Sequence, residues 1–461
     1  MGDSGAVVFP IDGDGRNGSA AVRSPLAGLT GRPANSAAEG AQHMKGVAIG
    51  IDLGTSGIRA ALVDARRDVM AMTSAPIGAA ERSDPDAWWR ALREATGALA
   101  REASLIDVEG IAIDGTSGTI LPVDAAGRPL APASLYNARA DPAAVARVSR
   151  VAPPGSAARG ASSPLARALA WRNLKGWAHL LHEADWLAGR LCGRFGVSDW
   201  NNALKTGFDP AIPGWPDWLH ALDLDPSLLP EVVPPGRTIG RISPPIAKRL
   251  GLPAAVRVVA GTTDGCAAFL ATGAVEEGDG VTSLGTTLTL KLLSSRPVLA
   301  PDNGIYSHRI GSLWLPGGAS NTGGGALAKY FSPARLAALS ARIDPSVVSG
   351  LDFYPLPSAG ERFPIADDAL PPRETPRPAD DVAFLHGLLE SIARIEAEAY
   401  RRLAELGAPL VRRVFTVGGG ARNPEWAAIR ARVLGEAVPG VELRTPRALE
   451  AAVGTAGLAL P

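Results

Sequence analysis

Cysteine is nearly absent from this 461-residue chain, which carries only Cys192 and Cys266. Two cysteines in apolar surroundings build neither a disulfide framework nor a zinc cluster. They suit buried thiols in a reducing compartment, and a cytoplasmic protein is expected. Charge bias is missing too, because 46 Lys plus Arg balance 46 Asp plus Glu. That balance excludes the basic field of a nucleic-acid or anionic-membrane binder and favours a small-molecule partner. No apolar run is long enough to span a bilayer, so a membrane role is not expected. Three catalytic signatures are also lacking. Without Gly-x4-Gly-Lys-Ser/Thr the chain is not a P-loop enzyme. It has neither the His-Arg-Asp and Asp-Phe-Gly pair of protein kinases nor a Gly-x-Ser-x-Gly elbow, which leaves Ser56 and Ser117 poor candidates for nucleophiles.

What is present begins with Gly50-Ile51-Asp52-Leu53-Gly54-Thr55-Ser56-Gly57-Ile58-Arg59, two short strands around a Gly/Thr/Ser turn. The glycines permit close backbone approach, and N–H groups with the hydroxyls of Thr55 and Ser56 offer donors to a phosphate. Asp52 beside that anion would be repelled unless a divalent cation stood between them. Val281 to Leu290 repeats the device as Leu284-Gly285-Thr286, here without a carboxylate. Either copy alone reads equally well as an ordinary hairpin. Two copies suggest a duplicated fold clamping one nucleotide.

A chain of this length can hold two domains. Residues 1–43 are rich in Gly, Ala, Ser, Asn and Arg without apolar periodicity and read as a disordered extension; Met44, just before the first strand, is expected as the genuine initiator. From Lys45 the pattern is α/β. Strands are expected near Val47 to Asp52, Ile58 to Val63, Val69 to Thr73, Gly110 to Asp114, Ile120 to Val123, Ala255 to Ala260 and Val414 to Val417. Helices are expected over Pro85 to Ala103, Pro164 to Trp177, Leu180 to Leu191, Cys266 to Thr272 and Asp381 to Leu406. The segment Gly273 to Gly280 reads as an interdomain linker, and the cleft is expected there. Gly418-Gly419-Gly420 between a strand and a helix N-terminus makes a nucleotide-contacting corner.

Gly261-Thr262-Thr263-Asp264-Gly265 opens a helix after a buried strand, so Asp264 either caps that helix or stands on the cleft wall as a general base for an alcohol. His179 and His182, three apart in an expected helix, form a conceivable metal pair, but no third ligand lies near and a surface or core role suits them better.

Taken together, Gly50 to Ser56, Gly261 to Gly265, Ser283-Leu284-Gly285-Thr286-Thr287 and Gly418 to Gly420 resemble the FGGY carbohydrate kinases. Within that family the chain is most similar to D-ribulose kinases of cyanobacteria and plants. Asp114 to Thr119, His182 to Leu187, Asn201 to Lys205, Gly304 to Arg309 and Gly317 to Gly324 carry the likeness.

The resemblance implies an α/β chain of two ribonuclease-H-like domains of the actin and hexokinase superfamily, 44–271 and 272–461, around a central cleft, with the last helix free to pack back on the first domain. It implies ATP-dependent phosphorylation of a ketopentose with Mg²⁺, D-ribulose first, D-xylulose or another ketose or polyol as the alternative. A nucleotide-binding regulator on the same fold is the non-enzymatic reading. By likeness Asp264 and Asp52 are catalytic, and Asp52 also meets the sugar and the magnesium. Ser117 contacts the sugar, while Gly54, Thr55, Ser56, Gly285, Thr286, Gly419, Gly420 and Asn423 border ATP. A monomer or homodimer is expected. One departure is Arg167, which stands where many relatives have lysine in the first family signature and keeps the charge without its point-like geometry.

Overall fold

Two hairpins seed two sheets. The structure, a computed structural model, describes residues 46–461; the expected extension 1–43 and initiator Met44 lie outside the described residues. In the first sheet β1 (Val47–Gly54), β2 (Gly57–Val63) and β3 (Val69–Pro76) run as an antiparallel meander, and β4 (Val108–Gly115) joins β1 in parallel. Between the sheets' main strands lie the short pairs β5 (Ile120–Val123) with β6 (His179–His182) and β7 (Val197–Asp199) with β8 (Glu231–Val233). Then β9 (Thr238–Arg241), β10 (Arg257–Val259) and β11 (Thr262–Thr263) complete the first sheet, in which β10 and β11 both pair with β4.

The second sheet repeats the scheme. Its strands are β12 (Asp279–Leu284), β13 (Leu288–Leu292), β14 (Tyr306–Ile310), β15 (Leu313–Ser320), β16 (Arg413–Val417) and β17 (Glu442–Arg444). Their order is β14-β15-β13-β12-β16-β17, with β12 and β16 parallel, as β1 and β4 are in the first sheet.

Each sheet buries its own core. The helix Pro85–Glu102 lays Trp88, Leu92, Ala95 and Leu99 against β2 and β3, and the helix Asp381–Glu405 serves the second sheet with Phe384, Leu388 and Ile392. The closing helix Ala451–Ala459 packs on β1, β4 and the helix Asp264–Ala271. Contact there is backbone to backbone: a Cβ on Gly50 would stand 1.9 Å from Ala452 O, and one on Gly454 would stand 2.0 Å from Ala267 O. Only glycine fits such an approach.

Three sequence expectations need correction. The stretch Leu180 to Leu191 starts as β6 and becomes helical only at Glu183, because β5 takes His179–His182 as its partner strand. Helix from Pro164 stops at Ala168 and gives way to a 3-10 turn, Leu169–Trp171, before Gly176 turns the chain at φ 78°. The expected linker does not adjoin Asp264. It follows the far end of helix Asp264–Ala271, about 12 Å from Asp264 by helical rise.

Candidate functional site

Strand register brings the acidic groups together. Asp52 of β1 stands opposite Asp114 of β4, and Thr262 of β11 stands opposite Asp114 on its other side, so the carboxyl ends of three strands form one rim. Open α/β sheets bind ligands at such rims. Asp264 follows β11 directly as the first residue of its helix, where the positive end of the macrodipole lies. It does not fill the capping position, which Thr263 occupies; its Oδ1 accepts the Gly265 N–H at 2.6 Å.

Protonation within this cluster is set by burial. Asp114, fully buried and beside Asp52, is pushed well above the ordinary carboxyl value by its desolvation and by the Asp52 charge. It donates to Asp52 and receives the Thr455 hydroxyl of the closing helix. Burial also raises Asp52, but the Asp114 hydrogen bond and the Arg59 guanidinium at 3.5 Å oppose that rise. Asp264 is raised by burial against the Gly265 N–H and the ammoniums of Lys291 and Lys205. A half-buried carboxylate of raised basicity can take a proton from an alcohol.

The remaining expected residues fall into three groups. Ser117, after β4, has a buried hydroxyl with no hydrogen-bond partner among the described residues, and Lys205 Nζ donates to its carbonyl at 3.2 Å. Thr55 and Ser56 are the exposed turn of the first hairpin, closed by the pairing of Gly54 with Gly57. In the second hairpin Gly285 and Thr286 are tied from below, their carbonyls accepting the Gly324 and Gly325 N–H groups at 2.8 and 2.9 Å. The corner Gly418 to Gly420 abuts the same hairpin, since a Cβ on Gly418 or Gly420 would lie 2.7 Å from Leu284. Asn423 is turned to structure: Oδ1 caps the helix Pro424–Ala437 at Trp426 N, and Nδ2 holds Ser340 at 2.8 Å. Its amide is therefore spent within the fold.

Comparison with known proteins now decides the family. Models of the FGGY family of carbohydrate kinases match residues 47–152 with its N-terminal domain and 280–460 with its C-terminal domain. A xylulose kinase of Streptomyces coelicolor is 30% identical over 476 residues, covering 92% of this chain and 89% of that protein. The chain belongs to the FGGY family of carbohydrate kinases. A xylulose kinase of Escherichia coli is 29% identical over 448 residues, covering 89% of each chain. Among solved structures, a xylulose kinase from Rhodospirillum rubrum has 25% identity and a TM-score of 0.75 over 89% of each chain.

As an FGGY kinase the protein is a phosphotransferase with a two-domain actin and hexokinase-like fold, and ATP is the substrate that the family implies. The relatives carry the name xylulose kinase; none of these names is ribulose kinase. No described helix is long and apolar enough to cross a membrane.

Several groups in this FGGY kinase escaped sequence reasoning as individuals. Lys205, Tyr306, His308 and Glu183 all sit inside stretches that carried the resemblance, and Lys291 lies just beyond the second hairpin. Lys291 did leave a trace, as the one cation among the leucines of β13. The histidine pair is not a metal site. On strand β6, residues three apart face opposite sides, and His182 Nδ1 already pairs with Asp185 at 2.8 Å. Arg167 is a staple: its Nη1 donates to Ser134 O and Leu135 O at 2.8 Å, and its Nη2 to Gly118 O at 2.5 Å, which holds the Ser117 loop.

Glu183 supplies a pH test. Burial pushes its carboxyl up to about 8, although the Thr116 N–H and hydroxyl bind Oε1 at 2.5 and 2.6 Å. A folded value above the unfolded one gives stability that is full below the ordinary 4.5 and lost as pH rises through about 8. The Glu183→Gln variant should therefore lose less stability than the parent between about pH 5 and about pH 8. Urea midpoints at each pH check this; parallel curves for the two proteins would refute it.

Proposed function

We propose that this FGGY kinase transfers the γ-phosphoryl of ATP to the terminal hydroxyl of a ketopentose, with D-xylulose as the leading acceptor and D-ribulose the second. The observation that carries the reading is Asp264: a half-buried carboxylate of raised basicity, adjoining the unpartnered Ser117 hydroxyl on the rim that Asp52 shares. The names of the relatives favour D-xylulose. Stretches such as Gly317 to Gly324 favour D-ribulose, which differs from it in the configuration of one carbon.

In this reading Asp264 takes the proton of the acceptor hydroxyl. The oxygen then bonds to the γ-phosphorus as the bond to the bridging oxygen breaks, and the electron pair leaves with ADP. The transition state is loose, so alignment of the hydroxyl counts for more than base strength. Ser117 and Asp52 orient the sugar. The hairpin turns at Gly54 to Ser56 and at Gly285 and Thr286 face the phosphates, and the corner at Gly419 and Gly420 borders the adenosine.

The donor set fits Mg²⁺, which takes one or two carboxylates together with substrate phosphates. Asp52 is that carboxylate, its charged form favoured by the Asp114 hydrogen bond and the Arg59 guanidinium. When bound, the ion neutralises charge on the phosphates.

A panel of pentuloses and polyols with coupled ADP detection tests the reading. D-xylulose or D-ribulose should give a kcat/KM at least about tenfold above every other acceptor, a discrimination of about 1.4 kcal/mol. ATP turnover that ignores added sugar would favour the regulator.

A further inference from the structure

The chain holds 46 basic residues but only six lysines, at positions 45, 175, 205, 248, 291 and 329. Two of those six, Lys205 and Lys291, converge electrostatically on Asp264. They come from different lobes. Lys205 sits in the 3-10 turn Leu204–Thr206 of the first lobe, and Lys291 on β13 of the second.

Lys291 is delivered by a built path. Along β13, Leu288, Leu290 and Leu292 enter the second core, which turns Lys291 to the opposite face. Glycines flank its stem on both sides. A Cβ on Gly317 of the paired strand β15 would lie 3.0 Å from Lys291 Cγ, and one on Gly265 would lie 3.4 Å from Nζ. The ammonium therefore ends against the backbone next to Asp264, half-buried, and no described residue accepts a hydrogen bond from it. A half-buried cation with no acceptor calls for an anion nearby.

We infer that Lys291 is a positioning residue for Asp264, a point charge that the second lobe lays beside the base of the first, so that the carboxylate is held ionised and aimed only while the lobes are together. This inference rests on the proposed role of Asp264. Lysine suits the task because a compact ammonium on a flexible stem fits between two glycines. Other charged or titratable groups face the same space: Asp52, Asp114 and Glu183 around the rim, Lys205 at Ser117, Cys266 two residues along the helix, and Tyr306 and His308 from β14. Among the described groups on the second-lobe side of that set, Lys291 is the cation within reach of Asp264.

The test uses the full chain. Lys291→Met should lower kcat by about 10²-fold, the scale of a lost preorganised charge, with the KM for ATP within about twofold. Lys291→Arg should recover most of that loss. Independently of turnover, ¹³C-methylated lysines give a resonance that is assigned to Lys291 by its absence in Lys291→Met, and it should shift in Asp264→Asn far more than the exposed Lys248 does. An unmoved resonance, a Lys291→Met kcat within threefold of the parent, or equal losses in the Met and Arg variants would each overturn the assignment. Failure of the parent to phosphorylate any sugar would instead strike the proposed function, and the resonance would still report on the pairing.

Discussion

Asp264→Asn is expected to lower kcat for the pentulose by about 10² to 10⁴-fold, the range supplied by a positioned general base. Nucleotide affinity, measured by calorimetry, should stay within about twofold, because the groups proposed to hold ATP lie on the two hairpins and the Gly418 corner. The amide is nearly isosteric with the carboxylate and its oxygen can still accept the Gly265 N–H, so the fold has no reason to fail. Removing one negative charge from a cluster that includes Asp52, Asp114 and Glu183 should leave the thermal midpoint unchanged or raised, since those groups disfavour one another's ionised forms. Loss of activity together with loss of stability would point to a structural role. Activity within tenfold of the parent would end the assignment of Asp264 as base.

Much of this site was legible because its chemistry is local in sequence. Asp52 and its turn lie within ten residues, and Asp264 lies between two glycines after a buried strand; in both places one strand end fixes where the side chain emerges. The second hairpin and the Gly418 corner were legible for the same reason. What the chain order hid is pairing across the fold. Asp114 looks like a turn residue until β4 sets it against Asp52, and Thr455 looks like part of an apolar helix until that helix packs back onto the first sheet.

The errors in secondary structure share that cause. Leu180 and Leu181 suit a helix or a strand equally, and the free edge of β5 decides for strand. The distance of the expected linker from Asp264 depends on the direction in which helix Asp264–Ala271 runs. Lys291 shows the limit most plainly. Its polarity among the leucines of β13 marks a side chain facing away from the second core, but what it faces belongs to the other lobe.

Arg430→Met is expected to destabilise the second lobe by about 3 to 5 kcal/mol, the cost of stripping one partner from a buried ion pair. Arg430 and Glu396 are both essentially inaccessible and meet in a two-pronged contact, Nε to Oε2 at 2.6 Å and Nη2 to Oε1 at 2.7 Å. Thr282 of β12 donates to Glu396 at 2.6 Å, and Arg430 Nη1 reaches Thr416 of β16 at 2.7 Å. The pair thus ties the helices Asp381–Glu405 and Pro424–Ala437 to the two strands whose ends lead into Gly285 and Gly418. Its loss should raise the KM for ATP before it lowers kcat, because the nucleotide corner loosens while Asp264 stays in place. Glu396→Gln combined with Arg430→Met removes the stranded charge, so the double variant should be more stable than Arg430→Met at neutral pH. Urea unfolding of all three proteins checks the ordering; a double variant no better than the single would mean that packing, and not the buried charge, dominates the loss.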